Sequence, residues 1–182
     1  PPAPENGYRF EFVRTDLDYL RNNGSEVSLT WVGHATLLLQ LGGLNLLTDP
    51  HFTERASPVS FAGPKRRVPP AFGLDGLPHI DVVLVSHNHY DHLDLGTLEG
   101  LMEQPGGPPQ LFVPLGLKPW LADAGIEGAI EQDWWEYTDY QGLRIHQVPA
   151  QHFSARTPFD RNEVLWGGFV VEHPDLRFYF AG

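Results

Sequence analysis

The spacing of apolar and polar residues divides the chain into short elements. DLDYLRNN (16–23) predicts a short helix ended at Gly24. From residue 27 the pattern turns to strand. VSLTWV (27–32) and ATLLLQL (35–41) are rich in β-branched and aliphatic residues, and Gly42-Gly43 marks a hairpin turn into LNLLTD (44–49). Residues 50–79 break the pattern. Pro, Gly, Arg and Phe dominate there, around GPKRRVPP, and so long a loop in a compact domain is usually functional or disordered. IDVVLVS (80–86) is almost continuously apolar, as expected of a strand covered on both faces. LGTLEGLMEQ (95–104) and LKPWLADAG (117–125) predict helices, and LFVP (111–114) a strand between them. DWWEYTDYQGLRIHQVP (133–149) predicts a hairpin. LWGGFVVEH (165–173) and LRFYFAG (176–182) predict two strands around Pro174-Asp175. Helices and strands mix throughout, so the expected class is α/β or α+β with a layered sheet. Residues 1–26, opening on PPAPENG, are expected to form an N-terminal arm, and 27–182 the domain.

Composition narrows this reading. A chain of 182 residues with 41% hydrophobic and 12% aromatic content can bury one sizeable core. Its net charge of -11 disfavours nucleic acid and anionic membranes as default partners, although a local basic patch can override the average. The absence of cysteine removes disulfides, thiolate nucleophiles and Cys-ligated zinc. No run approaches the roughly 18–20 apolar residues of a membrane helix. The opening Pro1-Pro2-Ala3-Pro4 and the single methionine, Met102, suggest that the native start is missing, processed or replaced. The expected location is cytoplasmic, with peripheral membrane contact as the alternative.

The chemistry concentrates in HNHYDH (87–92), directly after the buried strand. Ligands in layered α/β folds bind beyond the carboxyl ends of strands. While the chain stays extended, His87 and His89 point the same way and can hold one metal ion. Asp91 and His92 lie just beyond and can hold a second. Imidazole and carboxylate suit Zn first, then Fe, Mn or Ni. Two ions about 3.5–4 Å apart would clamp a hydrolytic transition state. The plain alternative is a polar loop with incidental histidines. With nine His in 182 residues, three within six positions make that a poor explanation. A lone histidine is more often a satisfied core or surface group. His152, however, follows the strand LRIHQV in PAQHFSART, where a further ligand would close a tetrahedral site.

These motifs carry a resemblance. HNHYDH with a later lone His is similar to the metallo-β-lactamase superfamily. TWVGHATLLLQLGGLNLLTDPHF, ERASP, GPKRRVPP, VSHNHYDHLD and FDRNEVLWGGF resemble the branch of N-acylphosphatidylethanolamine-hydrolysing phospholipase D and its bacterial relatives, from about Val27 to Gly182. The resemblance implies a four-layer αβ/βα sandwich, of which this chain covers about the N-terminal half. It implies two divalent ions. His87, His89 and His152 would hold one, and Asp91 and His92 the other. Asp49 would orient a ligand from behind. His34, in GHAT, would lie at the mouth and join Asp91 in catalysis, against the alternative of a hairpin histidine bonded to backbone. Family members continue past a strand like FYFAG with a metal-bridging aspartate and later a further histidine, whereas the sequence here stops at Gly182. The expectations are a missing C-terminal half or self-association, and a sheet face left uncovered and apolar.

The expected reaction is hydrolysis by a metal-bound hydroxide, whose pKa on zinc falls to about 7. The branch points to a phosphodiester, with a small-molecule or phospholipid-derived substrate. The alternatives are a lactone, ester or amide hydrolase of the same fold, or a fragment that binds metal incompletely and catalyses nothing. Lys65, Arg66 and Arg67 are candidates for steering an anionic headgroup, against the alternative of a solvated loop. Trp134 and Trp135 are candidates for an acyl pocket or a membrane surface, against the alternative of one core residue and one exposed strand neighbour, and Phe52, Phe61 and Phe72 for an apolar wall. A nuclease is disfavoured by the charge.

Overall fold

The computed structural model describes residues 13–182. Of the expected arm, residues 1–12 lie outside the described residues. The predicted first helix is present as α1 (Leu17–Asn22), capped by Asp16, whose side chain accepts from the Tyr19 N–H. Its Leu20 is buried in the core.

Two sheets follow. The first runs in spatial order β1 (Ser28–Gly33), β2 (Thr36–Leu41), β3 (Leu44–Thr48), β4 (Val82–Leu84), β5 (Gln110–Pro114) and β6 (Ile130–Gln132). β1, β2 and β3 pair antiparallel, and β3 to β6 pair parallel. The parallel part needs crossovers, and α2 (Leu95–Met102) and α3 (Leu117–Asp123) supply two of them. The second sheet is antiparallel, in order β10 (Leu176–Phe180), β9 (Gly168–His173), β8 (Leu143–Val148), β7 (Tyr137–Tyr140).

The two faces of the first sheet bury different partners. Leu38, Leu47, Val83, Val85, Leu111 and Val113 face the helices and pack with Leu98, Leu101, Leu117 and Leu121. Leu39, Leu46, Val82, Leu84 and Phe112 face the second sheet and meet Ile145, Phe169 and Val171. Burial on both faces explains the unbroken apolar run of β4. Each fully buried Leu, Val or Phe contributes roughly 1.5–3 kcal/mol against its exposed state.

The result is a helix layer, a mixed sheet and an antiparallel sheet. No helix among the described residues covers the outer face of the second sheet, but that face is not the apolar surface expected from the sequence. The inward residues of β8 are Leu143, Ile145 and Gln147, and the alternate positions turn charge outward. Arg144 pairs with Asp139 at 2.7 Å and lies over the Tyr137 ring, and Arg177 pairs with Glu172 at 2.8 Å. Period-two alternation explains this, because strands solvated on one face carry polar residues there.

The long segment 50–79 is a folded loop. Arg55 and Lys65 form an isolated antiparallel bridge, Ala56 N–H donates to the Pro64 carbonyl, and Arg66 N–H to the Glu54 carbonyl. Phe52 and Phe72 pack on the helix-side core, so they do not form the expected substrate wall; Phe61 is exposed. Trp134 donates its indole N–H to the Trp166 carbonyl, and its neighbour Trp135 is 72% exposed. No helix among the described residues is long and apolar enough to cross a membrane.

Candidate metal centre

The sheet topology brings the chemistry to one edge. The β1–β2 turn, the end of β3 and the end of β4 open on the same side, because β2 runs against β1 and β3 and β4 runs with β3. His34 sits in that turn, Asp49 directly after β3, and HNHYDH shortly after β4. In the second sheet the end of β8 leads to His152. A hydrogen bond from the Gly167 N–H to the Ser86 carbonyl (3.0 Å) ties the two sheets together there. His34 and Asp49 have φ of 53° and 34°, a strained region for non-glycine residues that often marks functional sites.

Three ring nitrogens converge. His87 Nε2 lies 2.9 Å from His89 Nδ1, and His152 Nε2 lies 3.1 Å and 3.2 Å from these two. A tetrahedral cation with bonds of about 2.0–2.1 Å to nitrogen requires donor separations of about 3.3 Å. The triad therefore fits such an ion closely. His87 and His89 are also in the right protonation state. Burial, and then the neighbouring His92, His89 and His152, pushes the His87 pKa down to about 2. Burial and His152 lower that of His89 as well. At neutral pH both rings present lone pairs.

A second donor set lies beside the first. His34 Nε2 is 2.8 Å and His92 Nε2 3.6 Å from Asp91 Oδ2. One ligand atom from each of the three falls within 4.8 Å of the others. Burial works to raise the Asp91 pKa, but the adjacent His92 and His34 outweigh it and hold the group below the usual carboxylate range.

Asp49 organises both sets from behind. It is fully buried and accepts three hydrogen bonds: from Ser86 N–H (2.7 Å), Ser86 Oγ–H (2.5 Å) and His92 Nδ1–H (2.6 Å). The Ser86 hydroxyl has one proton, which it donates in the hydrogen bond to the carboxylate. Ser86 Oγ must then accept from His87 Nδ1–H, 2.8 Å away. Both His87 and His92 are thereby fixed with Nδ1 protonated and Nε2 turned to the site. Burial works to lower the His92 pKa, but Asp49 and Asp91 outweigh it and raise the pKa.

The loop carrying these ligands is clamped by a residue the sequence reading passed over. Arg156 Nη1 donates to the carbonyls of Asn88 and Leu93, both at 2.9 Å, and its guanidinium stacks on Tyr90 and Trp120. Asp94 caps α2 and also accepts from Phe52 and Thr53 N–H, which pins the start of the long loop. Asp94 followed by Thr97 at the head of a predicted helix was a readable cap signal. Ser86 and Arg156 gave none, because their roles depend on residues far away in sequence. His51 lies beside His34, whereas His79 and His146 lie elsewhere. His79 is 3.1 Å from the Pro105 carbonyl, and His146 is 3.3 Å from Glu172.

Lys65, Arg66 and Arg67 line a cavity of about 380 Å³ that His34 and Asp91 also border. Lys65 is held outward by Glu54 at 2.5 Å. A separate cavity of about 420 Å³ opens over His87, His92 and His152, with Trp166 and Tyr179 in its wall.

A mixed α/β sandwich with metal-donor sets at one sheet edge defines a class, and comparison with known proteins supplies the family. The beta-lactamase superfamily domain matches residues 44–182, and the chain belongs to this superfamily. It is 43% identical over 164 residues to N-acyl-phosphatidylethanolamine-hydrolyzing phospholipase D 1 of Caenorhabditis elegans, an alignment covering 84% of this chain and 45% of the worm protein. It is 28% identical over 158 residues to a metal-dependent hydrolase of Methanopyrus kandleri, covering 85% of this chain and 60% of that one. The chain thus spans about half the length of the curated relatives it matches. Among solved structures, a metallo hydrolase from Ignicoccus hospitalis superposes with a TM-score of 0.60 at 22% identity, covering 86% of this chain and 60% of that one. That likeness concerns the fold.

Proposed function

We propose that the protein is a metal-dependent hydrolase of phosphodiesters, with a phospholipid-derived ester as substrate. The observation that carries this reading is the convergence of His87 Nε2, His89 Nδ1 and His152 Nε2 within 2.9–3.2 Å of one another. The triad would hold one divalent ion, and Asp91 and His92, with His34 beside them, a second. Zinc suits the imidazole-rich first set. When bound, such ions polarise a phosphoryl oxygen and lower the pKa of water enough for attack at neutral pH. The residues of the chain position and neutralise. His87 and His92 are held in one tautomer by Asp49, and Asp91 stays ionised to accept a proton or orient water. The choice of a phosphodiester over a lactone or amide is supported by the 43% identity to the worm phospholipase D.

The test compares bis(p-nitrophenyl) phosphate, an N-acylphosphatidylethanolamine and an acyl-homoserine lactone before and after chelation. We expect cleavage of the two phosphodiesters, abolished by chelator and by His89→Ala and restored to the wild type by Zn. Lactone cleavage without phosphodiester cleavage would overturn the substrate class. Full activity after chelation and dialysis would overturn the mechanism.

A further inference from the structure

Lys65 and Arg66 are held differently. Lys65 is paired with Glu54. Arg66 lines, with Lys65 and Arg67, the cavity bounded by Trp31, His34, His51, Val68 and Asp91. Its Nε and Nη1 are buried and without a hydrogen-bond partner. His51 lines the same cavity and is 3% exposed, and neither of its ring nitrogens makes a well-formed hydrogen bond, although the Arg55 backbone and the Asp94 carboxylate act on the ring. Both residues hang from anchored backbone: Arg66 N–H donates to the Glu54 carbonyl and His51 N–H to Thr36 Oγ1, 3.1 Å away. Two side chains with unmet polar groups thus share one small cavity, and a buried donor left unmet costs stability, more so if charged. The walls of Trp31 and Val68 provide carbon. The carboxylate of Asp91 is already engaged by His34 at 2.8 Å. The Asp94 carboxylate adds negative charge near both side chains but is engaged by Phe52, Thr53 and Thr97, so a hydrogen-bonding anion with several oxygens is what Arg66 and His51 lack. The guanidinium fork suits a phosphate, with His51 as the second donor.

We propose that Arg66 and His51 form an anion subsite beside the His34–Asp91–His92 donor set, which binds a phosphate-ester oxygen of the substrate while Trp31 and Val68 take the apolar stem attached to it. This rests on the phosphodiester reading. Arg66 and His51 bind and orient. They hold the ester against the donor set, and they explain why a chain of net charge -11 accepts an anionic substrate.

The test is a calorimetric titration of the metal-stripped protein with inorganic phosphate, where no ion competes for the ligand. Arg66→Met should weaken binding about tenfold or more, and His51→Asn by about threefold. Arg67→Met and Lys65→Met should change it by less than about twofold. Arg66→Lys, which keeps the charge and loses the fork, guards against a misfolded Met variant and should bind about threefold more weakly. Unchanged affinity in Arg66→Lys and Arg66→Met, or an equal loss in Arg67→Met, would overturn the subsite. A second arm uses dihexanoylphosphatidylglycerol below its micelle concentration. It should bind at least about fivefold more tightly than phosphate, because the apolar wall adds to the anion contact. Equal or weaker binding would mean a site for free phosphate and would overturn the ester assignment. Metal-dependent hydrolysis without Arg66-dependent phosphate binding would remove this subsite and leave the hydrolase. Arg66-dependent binding without hydrolysis would do the reverse.

Discussion

A single buried carboxylate fixes the proton positions of two imidazoles at this centre. Asp49 holds His92 directly and His87 through the Ser86 hydroxyl. An amide at position 49 would retain the shape, but its NH₂ group would face a donor. Partners of this kind are worth about 10- to 100-fold in metal affinity. We expect Asp49→Asn to weaken metal binding by about that factor in competition with a chromophoric chelator, while far-UV circular dichroism stays unchanged. Proton competition should also separate the two donor sets. His92 has a raised pKa, so in the metal-free protein it begins to take up a proton at a pH above the ordinary 6.5. His87 resists protonation down to about pH 2. As pH falls, the set containing His92 therefore meets proton competition first, and the set containing His87 later. Metal retained per chain after equilibration across pH 4–8 should fall in two steps, the first absent in His92→Ala. A single step in the wild type would refute the ordering.

At the scale of elements, strand ends and their clamps hold the donors in place. Arg156 ties the His-rich loop through two carbonyls and two rings. Arg156→Met keeps much of the stacking and loses the charged hydrogen bonds. It should destabilise the fold by about 2 kcal/mol in denaturant melts and lower metal affinity. Gly167 stands where the two sheets meet. A Cβ there would collide with the Val148 carbonyl and the Gln147 amide, and would press on the Trp134 indole at 3.3 Å. Gly167→Ala should cost about 2 kcal/mol or more, read as a fall in melting temperature. A neutral substitution would show that β8 can shift locally away from residue 167 without loss.

Across the whole molecule, the fold was legible wherever local pattern decided it. The β1–β2–β3 meander, β4, both crossover helices and the hairpin of β7 and β8 follow from apolar period and turn residues, with Gly42, Gly43 and Gly142 at positive φ where the turns need them. HNHYDH announced a donor cluster because its ligands are adjacent in sequence. Placing His152 with His87 and His89 took the resemblance, since 63 residues separate it from His89. β6, only three residues long, carried too little pattern to read. The polar outer face of the second sheet was readable in the alternation of LRIHQV and was missed because a whole missing layer was expected above it. Ser86, His51 and Arg156 gave no local signal, because each draws its role from distant neighbours.

The most direct measurement is metal content by elemental mass spectrometry on wild-type protein and on His89→Ala and His92→Ala, each loaded with Zn and dialysed. We expect about two ions per chain in the wild type and about one in each variant. A wild type that retains no stoichiometric metal, or a His89→Ala variant that retains as much as the wild type, would contradict the assignment of these histidines as ligands.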